Sequence, residues 1–539
     1  MYGSITLENR FGVNKMELIS LKYAIFVIVL LVLYYCFPKK YRWYVLLAGS
    51  MAYYVIICKW YVLFIIFTIC TTYGSTIWID KLLKKQNAVV KSHKEDWDRQ
   101  TRKEYKEKGR KKRVAVMLFA LLCNFGILAF LKYIPYAGEL GLLLPLGISF
   151  YTFQSMGYVM DVYREIVEPE KNFFKVALFV SFFPQIIQGP IAIYDKFAGQ
   201  LYEGHSLRLE NLQKGALLVL WGVMKKLVIA DRAVNIINFV MDKPMDFSGT
   251  YVFFAAVVYA LQLYADFSGG IDIVRGIAEM FGITMSTNFN HPYFSRSLTE
   301  YWHRWHMTLG DWCRNYIFYP LSISKRFLNF GKWLKPRFGA HISKVLPGCI
   351  ASVITFIVIG VWHGANMKYL YFGLWNGIVI MLAELFAPVN KKVAGGFFKL
   401  TGLREKGIFA TIVSVFWTFM LILVGYYFDI AANASTAFHM LFKSITDFHI
   451  SELGINNIIL NLGACGLDEY DILLLIICTL LWFFISFVEE NKKLDMRDFI
   501  LSRKLPLRWA IIYLGIFIVI IFGYYGPGVN PADFVYMQF

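Results

Sequence analysis

Apolar runs about as long as a bilayer is thick recur along the whole chain, and they restrict its fold more than any single motif does. They fall at residues 19–36, 44–58, 61–79, 114–131, 142–159, 173–193, 212–230 and 251–264, then at 345–362, 369–386, 408–428, 472–488 and 509–524. Irregular backbone exposed to lipid leaves N–H and C=O groups with no partner, so segments of this kind cross as helices. The pattern predicts an all-α polytopic integral membrane protein with about 11–13 helical segments, some re-entrant or interfacial. Composition agrees: 58% of residues are hydrophobic and 17% charged, against roughly 45–50% and 25% in soluble domains. The 539 residues read as one domain over 1–539. No small-residue cleavage site follows the first run, which is therefore expected to stay as a helix.

The net charge of +18 would suggest a nucleic-acid partner in a soluble protein. Here no reader motif accompanies it, and the basic residues gather in loops, as the positive-inside bias requires. Membrane lipid is the expected electrostatic partner, and nucleic acid is excluded. Residues 81–113 hold fourteen Lys/Arg against five Asp/Glu, which marks a cytoplasmic loop, read as a solvated amphipathic helix on the anionic leaflet. Counting back three spans puts the N-terminus outside. The eight cysteines form no CxxC pair, so neither a disulfide framework nor a metal site is indicated.

Two places break the apolar pattern. The run ending at Tyr264 leads into Asp266-Phe267-Ser268-Gly269-Gly270-Ile271-Asp272, where carboxylates and paired glycines imply a broken or re-entrant helix facing protein or water. Residues 284–347 form the other, read as re-entrant or interfacial. Asn288-Phe289-Asn290-His291-Pro292 suggests a turn, and from Ser297 onward Leu298, Trp302, Trp305, Leu309 and Trp312 recur at helical spacing. Six Lys/Arg and no acid follow in 325–344.

The chain has no GxSxG elbow, Walker A sequence, HExxH or GxGxxG after a strand, so serine hydrolysis, ATP-driven pumping and zinc proteolysis have no support. What stands out is histidine in an apolar setting. Val361-Trp362-His363-Gly364-Ala365-Asn366 lies between two apolar runs, where an ionisable group costs about 2.5 kcal/mol or more and is kept for function. Neutral imidazole takes a proton from a hydroxyl that attacks an activated acyl group, and burial favours that neutral form. His363 suits the role of general base. His306, in Tyr301-Trp302-His303-Arg304-Trp305-His306, suits a second base, an orienting group or an oxyanion donor. A transporter coupling protons through the same histidines is the non-enzyme alternative, although no pair of related halves with broken helices is visible.

Several stretches occur together in a fixed order: Tyr264-Ala265-Asp266-Phe267-Ser268-Gly269, Asn288 to Tyr293, Trp302 to Leu309, Arg314 to Leu321, and Trp362-His363-Gly364. With them the chain resembles the membrane-bound O-acyltransferase family. It is most similar to the subgroup of bacterial polysaccharide O-acetyltransferases that includes alginate O-acetylation proteins. Pro145 to Tyr151, Gln188-Gly189-Pro190 and Lys225 to Arg232 also look like that subgroup, and the likeness is dense over 110–390, the motif-bearing core.

The resemblance implies that the helices surround a central funnel or tunnel, and that His363 matches the family's catalytic histidine and His306 its second position. Trp302, Arg304, Trp305, Asp266, Ser268, Trp362 and Asn366 would line the substrate tunnel or support it. The implied reaction moves an acyl group, acetyl above all, from a cytoplasmic thioester across the membrane to a surface polysaccharide. A separate periplasmic or extracellular acyltransferase is the implied partner and possible immediate acceptor. Acetyl-CoA or an acyl-carrier thioester would be the donor substrate, with no bound cofactor, and the location a bacterial plasma membrane. D-alanyl transfer to teichoic-acid-type acceptors is the enzymatic alternative. One departure stands out: where relatives often carry a Phe-Phe-Arg-Ala-like stretch, this chain reads Tyr427-Phe428-Asp429-Ile430-Ala431.

Overall fold

A computed structural model describes residues 16–401, 404, 407–454, 457, 463–526 and 534. Among them the regular elements are helices, without a strand. Seven are long and apolar enough to cross a membrane, or eight if the bent pair Met367–Leu385 and Ala387–Thr401 counts as one span. The protein is thus a multi-pass membrane protein. Its outer surface is what lipid requires: no residue of Leu505–Phe522 is buried, and Leu505, Phe517, Ile520 and Ile521 are each more than half exposed. In water such a face would drive aggregation.

The 54-residue run Lys39–Ser92 would be more than twice as long as the hydrocarbon core, about 30 Å at 1.5 Å per residue. Lys59, at φ 50° and ψ −127°, divides it into Arg42–Cys58 and Val62–Ser92. The basic stretch 81–113 is not a separate surface helix. The helices Val62–Ser92 and Arg99–Tyr133 continue through it and meet at a turn, where Arg102 donates to the carbonyls of Lys94 and Trp97. Other expected spans are shortened or broken. Residues 173–193 give two short helices, Phe173–Ser181 and Phe183–Gln188. Leu209–Met224 passes into a π-helical turn, Lys225–Ala230.

Packing divides the chain into two compact units. One comprises the residues up to Val219 together with Ile271–Ser286. Its core includes a buried amide pair in which Gln185 donates to Gln154 and to the Pro190 carbonyl. The other comprises Leu220–Gly270 and Thr287–Phe539 and contains both histidines of interest.

Within this second unit, Lys325–His363 and Met367–Leu385 form a tight helical hairpin. The first is really two helices, parted by Gly339 at φ 81°. Gly360 and Gly373 set the close approach: a Cβ on Gly360 would strike the Tyr369 carbonyl, and one on Gly373 the Phe356 carbonyl. Backbone atoms cannot swing aside as a flexible side chain can. Gly373→Val is therefore expected to destabilise the hairpin by about 1–3 kcal/mol, read as a lower unfolding temperature in detergent, with a smaller effect at Gly395, which has open space around it.

Candidate active site

His363 is the last residue of its helix, not the middle of a span as its flanking apolar runs suggested. Gly364 ends the helix, and Asn366 caps the next one by accepting from the Lys368 N–H at 3.1 Å. The imidazole is still buried at 8% exposure. It stacks on Tyr369 at 5.8 Å and meets Phe372 and Trp362 edge-on at 5.3 and 5.0 Å. Gly364 makes room for this, since a Cβ there would lie 2.6 Å from the Tyr369 ring.

The tryptophan-rich helix expected from Ser297 is broken at the other histidine. Leu298–Arg304, capped by Ser297, and Met307–Cys313 are separate short helices. Between them Trp305 is extended and His306 is left-handed, at φ 44° and ψ 52°. The physical reason lies in an adjacent segment: Asn290 donates to the Arg304 carbonyl at 3.0 Å, and Met307 donates to the Asn288 carbonyl at 2.9 Å. Those two backbone groups bond to the Asn288–Asn290 strip, and the chain turns between them. His306 is 2% exposed. Its ring meets Phe267 edge-on at 4.9 Å and Trp362 at 6.2 Å, and Asn288 Oδ1 is 3.1 Å from Nδ1. Burial, helped by the nearby His363, pushes this imidazole down to about 3, so it is neutral at physiological pH.

His363 and His306 line one cavity of about 20 Å³. That is the space of about one water, and aromatic rings supply much of its wall. Trp302 and Trp305 are on the wall, with Tyr301, Phe372 and Tyr426. Trp302 Nε1 donates to Asn376 Oδ1 at 3.0 Å, and Asn376 Nδ2 donates to the Phe372 carbonyl at 2.9 Å. Trp362 is buried against both imidazoles.

Four residues read as tunnel-lining or supporting lie elsewhere. Asp266 is bound to Lys226 at 2.6 Å and Ser268 accepts from Lys225 at 2.8 Å, in a buried charge cluster. Arg304 pairs with Glu300 and Glu490 at 2.7 and 3.0 Å, and Asn366 is the helix cap. In each case a short-range electrostatic partner holds the side chain away from the cavity. Conversely, Tyr426 and Asn376 were not singled out by the sequence, and Asn288 and Asp429 stood out only as part of a turn and of a departure from relatives. Tyr426 Oη lies 2.7 Å from Tyr301 Oη and 3.1 Å from Tyr293 Oη. Asp429, on the cavity wall, accepts from Tyr259 at 2.7 Å, while Lys368 Nζ holds its backbone carbonyl at 2.7 Å. Asp429 carried a signal of its own, being the one acid within 408–430.

The model of the MBOAT, membrane-bound O-acyltransferase family, matches residues 169–335, the stretch that brings Asn288, Trp302 and His306 together. Relatives extend the match. The probable alginate O-acetylase AlgI of Pseudomonas syringae pv. tomato is 30% identical over 315 residues, covering 58% of this chain and 54% of that protein. The peptidoglycan O-acetyltransferase of Helicobacter pylori is 29% identical over 314 residues, covering 51% and 56%. Over residues 169–335 the chain thus carries a region of membrane-bound O-acyltransferase type, and its relatives are O-acetyltransferases. A teichoic acid D-alanyltransferase of Bacillus subtilis is also similar, 26% identical over 288 residues, covering 52% of this chain and 67% of that one. The chain thus spans little more than half the length of the first two relatives.

Proposed function

We propose that the chain is a membrane O-acyltransferase that passes an acetyl group from a cytoplasmic thioester to an acceptor hydroxyl outside. The acceptor belongs to a surface polysaccharide or to a separate acyltransferase that relays the group to it. His363 is the general base. It takes the hydroxyl proton as the oxygen attacks the thioester carbonyl; the C–O bond forms, the C–S bond breaks, and the departing thiolate takes up the proton. Acetyl-CoA or an acyl-carrier thioester already carries an activated carbonyl, so the chemistry calls for no bound cofactor. The location is a bacterial plasma membrane, with the N-terminus outside and the basic 81–113 hairpin in the cytoplasm.

The observation that carries this reading is the meeting of two imidazoles from separate elements at one buried, aromatic-walled cavity. A second reading is favoured by one feature, the Asp429 carboxylate on the wall, which offers an anion to the ammonium of an aminoacyl group; the relative that transfers D-alanine supports it.

Mild alkali releases esterified acids from surface glycans of cells carrying the wild-type chain or His363→Ala at equal membrane levels. Acetate falling to background supports the proposal. D-alanine falling instead moves the acceptor to the teichoic class. No change in any ester, with the variant still inserted, overturns the acyltransferase reading and favours proton-coupled transport.

A further inference from the structure

His306 was compatible with three roles on sequence grounds, and its hydrogen bonds decide among them. Asn288 is 1% exposed, and its side-chain oxygen collects three contacts. The Thr308 backbone N–H lies 3.1 Å away, the Thr308 hydroxyl 2.9 Å and His306 Nδ1 3.1 Å. A backbone N–H can only donate, so the Asn288 atom facing it is the carbonyl oxygen and the amide orientation is fixed. An oxygen acceptor is in turn met by an N–H, so Nδ1 of His306 carries the ring hydrogen. In the neutral imidazole the lone pair is then on Nε2. The two backbone hydrogen bonds between Asn288–Asn290 and Arg304–Met307 hold the pair in register, and the left-handed conformation of His306, uncommon for a residue with a Cβ, keeps the ring at the cavity.

We propose that Asn288 is a positioning residue that locks His306 as its Nδ1–H tautomer, so that His306 meets substrate through the Nε2 lone pair, as a hydrogen-bond acceptor and not as an oxyanion donor. The group that fits such a nitrogen is an O–H. A sugar acceptor carries neighbouring hydroxyls: one loses its proton to His363, and an adjacent one donates to His306 and orients the ring. This inference rests on the transfer reaction proposed above. The titratable groups sharing the cavity with His306 are His363, Tyr301, and from Ile408–Ile430 Tyr426 and Asp429. On Gly249–Met280 the group facing it is the uncharged Phe267 ring, and the neighbouring Asp266 is bound to Lys226. The ring is thus neutral throughout the physiological pH range, in keeping with the downward shift of the imidazole.

The tautomer is read without turnover by magic-angle-spinning NMR of the full chain in lipid, with isotope-labelled histidine and His306→Gln to identify its signals. A protonated Nδ1 with a bare Nε2 is expected; a hydrogen on Nε2 overturns the inference. Asn288→Asp keeps the acceptor but adds a charge that favours the imidazolium. Acetyl transfer from radiolabelled acetyl-CoA to glycan in isolated membranes should then show its acid limb moved up by about one pH unit or more. Activity should recover at alkaline pH, whereas Asn288→Leu should lose about tenfold or more throughout. An unmoved limb in Asn288→Asp, or full activity in Asn288→Leu, overturns the role of Asn288. Should the His363→Ala ester test fail while the tautomer is as expected, the reaction is wrong and the hydrogen-bond assignment stands.

Discussion

Replacing His363 by glutamine is expected to cut ester deposition on surface glycans by about 10²- to 10⁴-fold, the contribution usual for a positioned general base. Glutamine retains polarity and much of the bulk of imidazole, so the ring contacts with Tyr369 and Phe372 are weakened while the hairpin between Lys325–His363 and Met367–Leu385 persists. The unfolding temperature of the detergent-solubilised variant should therefore stay close to that of the wild type. The measurement is the initial rate of alkali-labile acetate appearing on the glycan, at equal amounts of inserted protein. His306→Gln should lose less, since glutamine can still offer an acceptor oxygen to a substrate O–H. A His363→Gln rate within about fivefold of wild type would remove His363 from the base role, because an unassisted hydroxyl at neutral pH is far too weak a nucleophile to sustain it.

The spans were legible because a membrane helix announces itself locally: its apolar length is fixed by the bilayer and needs no partner to be recognised. Residues 408–428 and 509–524 correspond closely to the helices Ile408–Ile430 and Leu505–Phe522. What could not be read were the breaks. The tryptophan spacing from Leu298 to Trp312 is helical by pattern, yet the chain turns left-handed at His306 because Asn288 and Asn290 bond to its neighbours from a distant stretch. The histidines themselves were visible as costly residues in apolar surroundings. Two of their neighbours were not: Tyr426 and Asn376 reach the cavity from helices whose packing no short-range pattern reports. Asp266 and Ser268 show the converse. Their motif marks them as significant, but nothing in its spacing says that Lys226 and Lys225, and not a substrate, are what they bind.

That charge cluster is where the largest loss of stability is expected. Lys226 Nζ bridges Asp266 at 2.6 Å and Asp231 at 2.8 Å, with all three side chains at 3% exposure or less. Lys225 donates to Ser268, Arg232 pairs with Asp471 at 2.8 Å, and the Phe534 ring lies 4.5 Å from Lys226 Nζ. Adjacent residues on an α-helix diverge by about 100°, yet Lys225 and Lys226 both reach the Gly249–Met280 helix; they begin the wider π-helical turn Lys225–Ala230, an arrangement found frequently at functional sites. Three cations, Lys225, Lys226 and Arg232, balance three acids, Asp231, Asp266 and Asp471. Lys226→Met leaves two carboxylates facing each other without their bridge, and removing one partner of a buried pair costs about 3–5 kcal/mol. The variant should be scarce in membranes and unfold well below the wild type in detergent. Asp266→Asn should cost less, because Asp231 still pairs with Lys226. Combining Lys226→Met with Asp266→Leu removes one of the two stranded acids and should recover part of the loss, so the double variant should be more stable than the sum of the single effects predicts. Strict additivity would mean that the three side chains do not act as one unit, and that the π-helical turn is held by its backbone contacts alone.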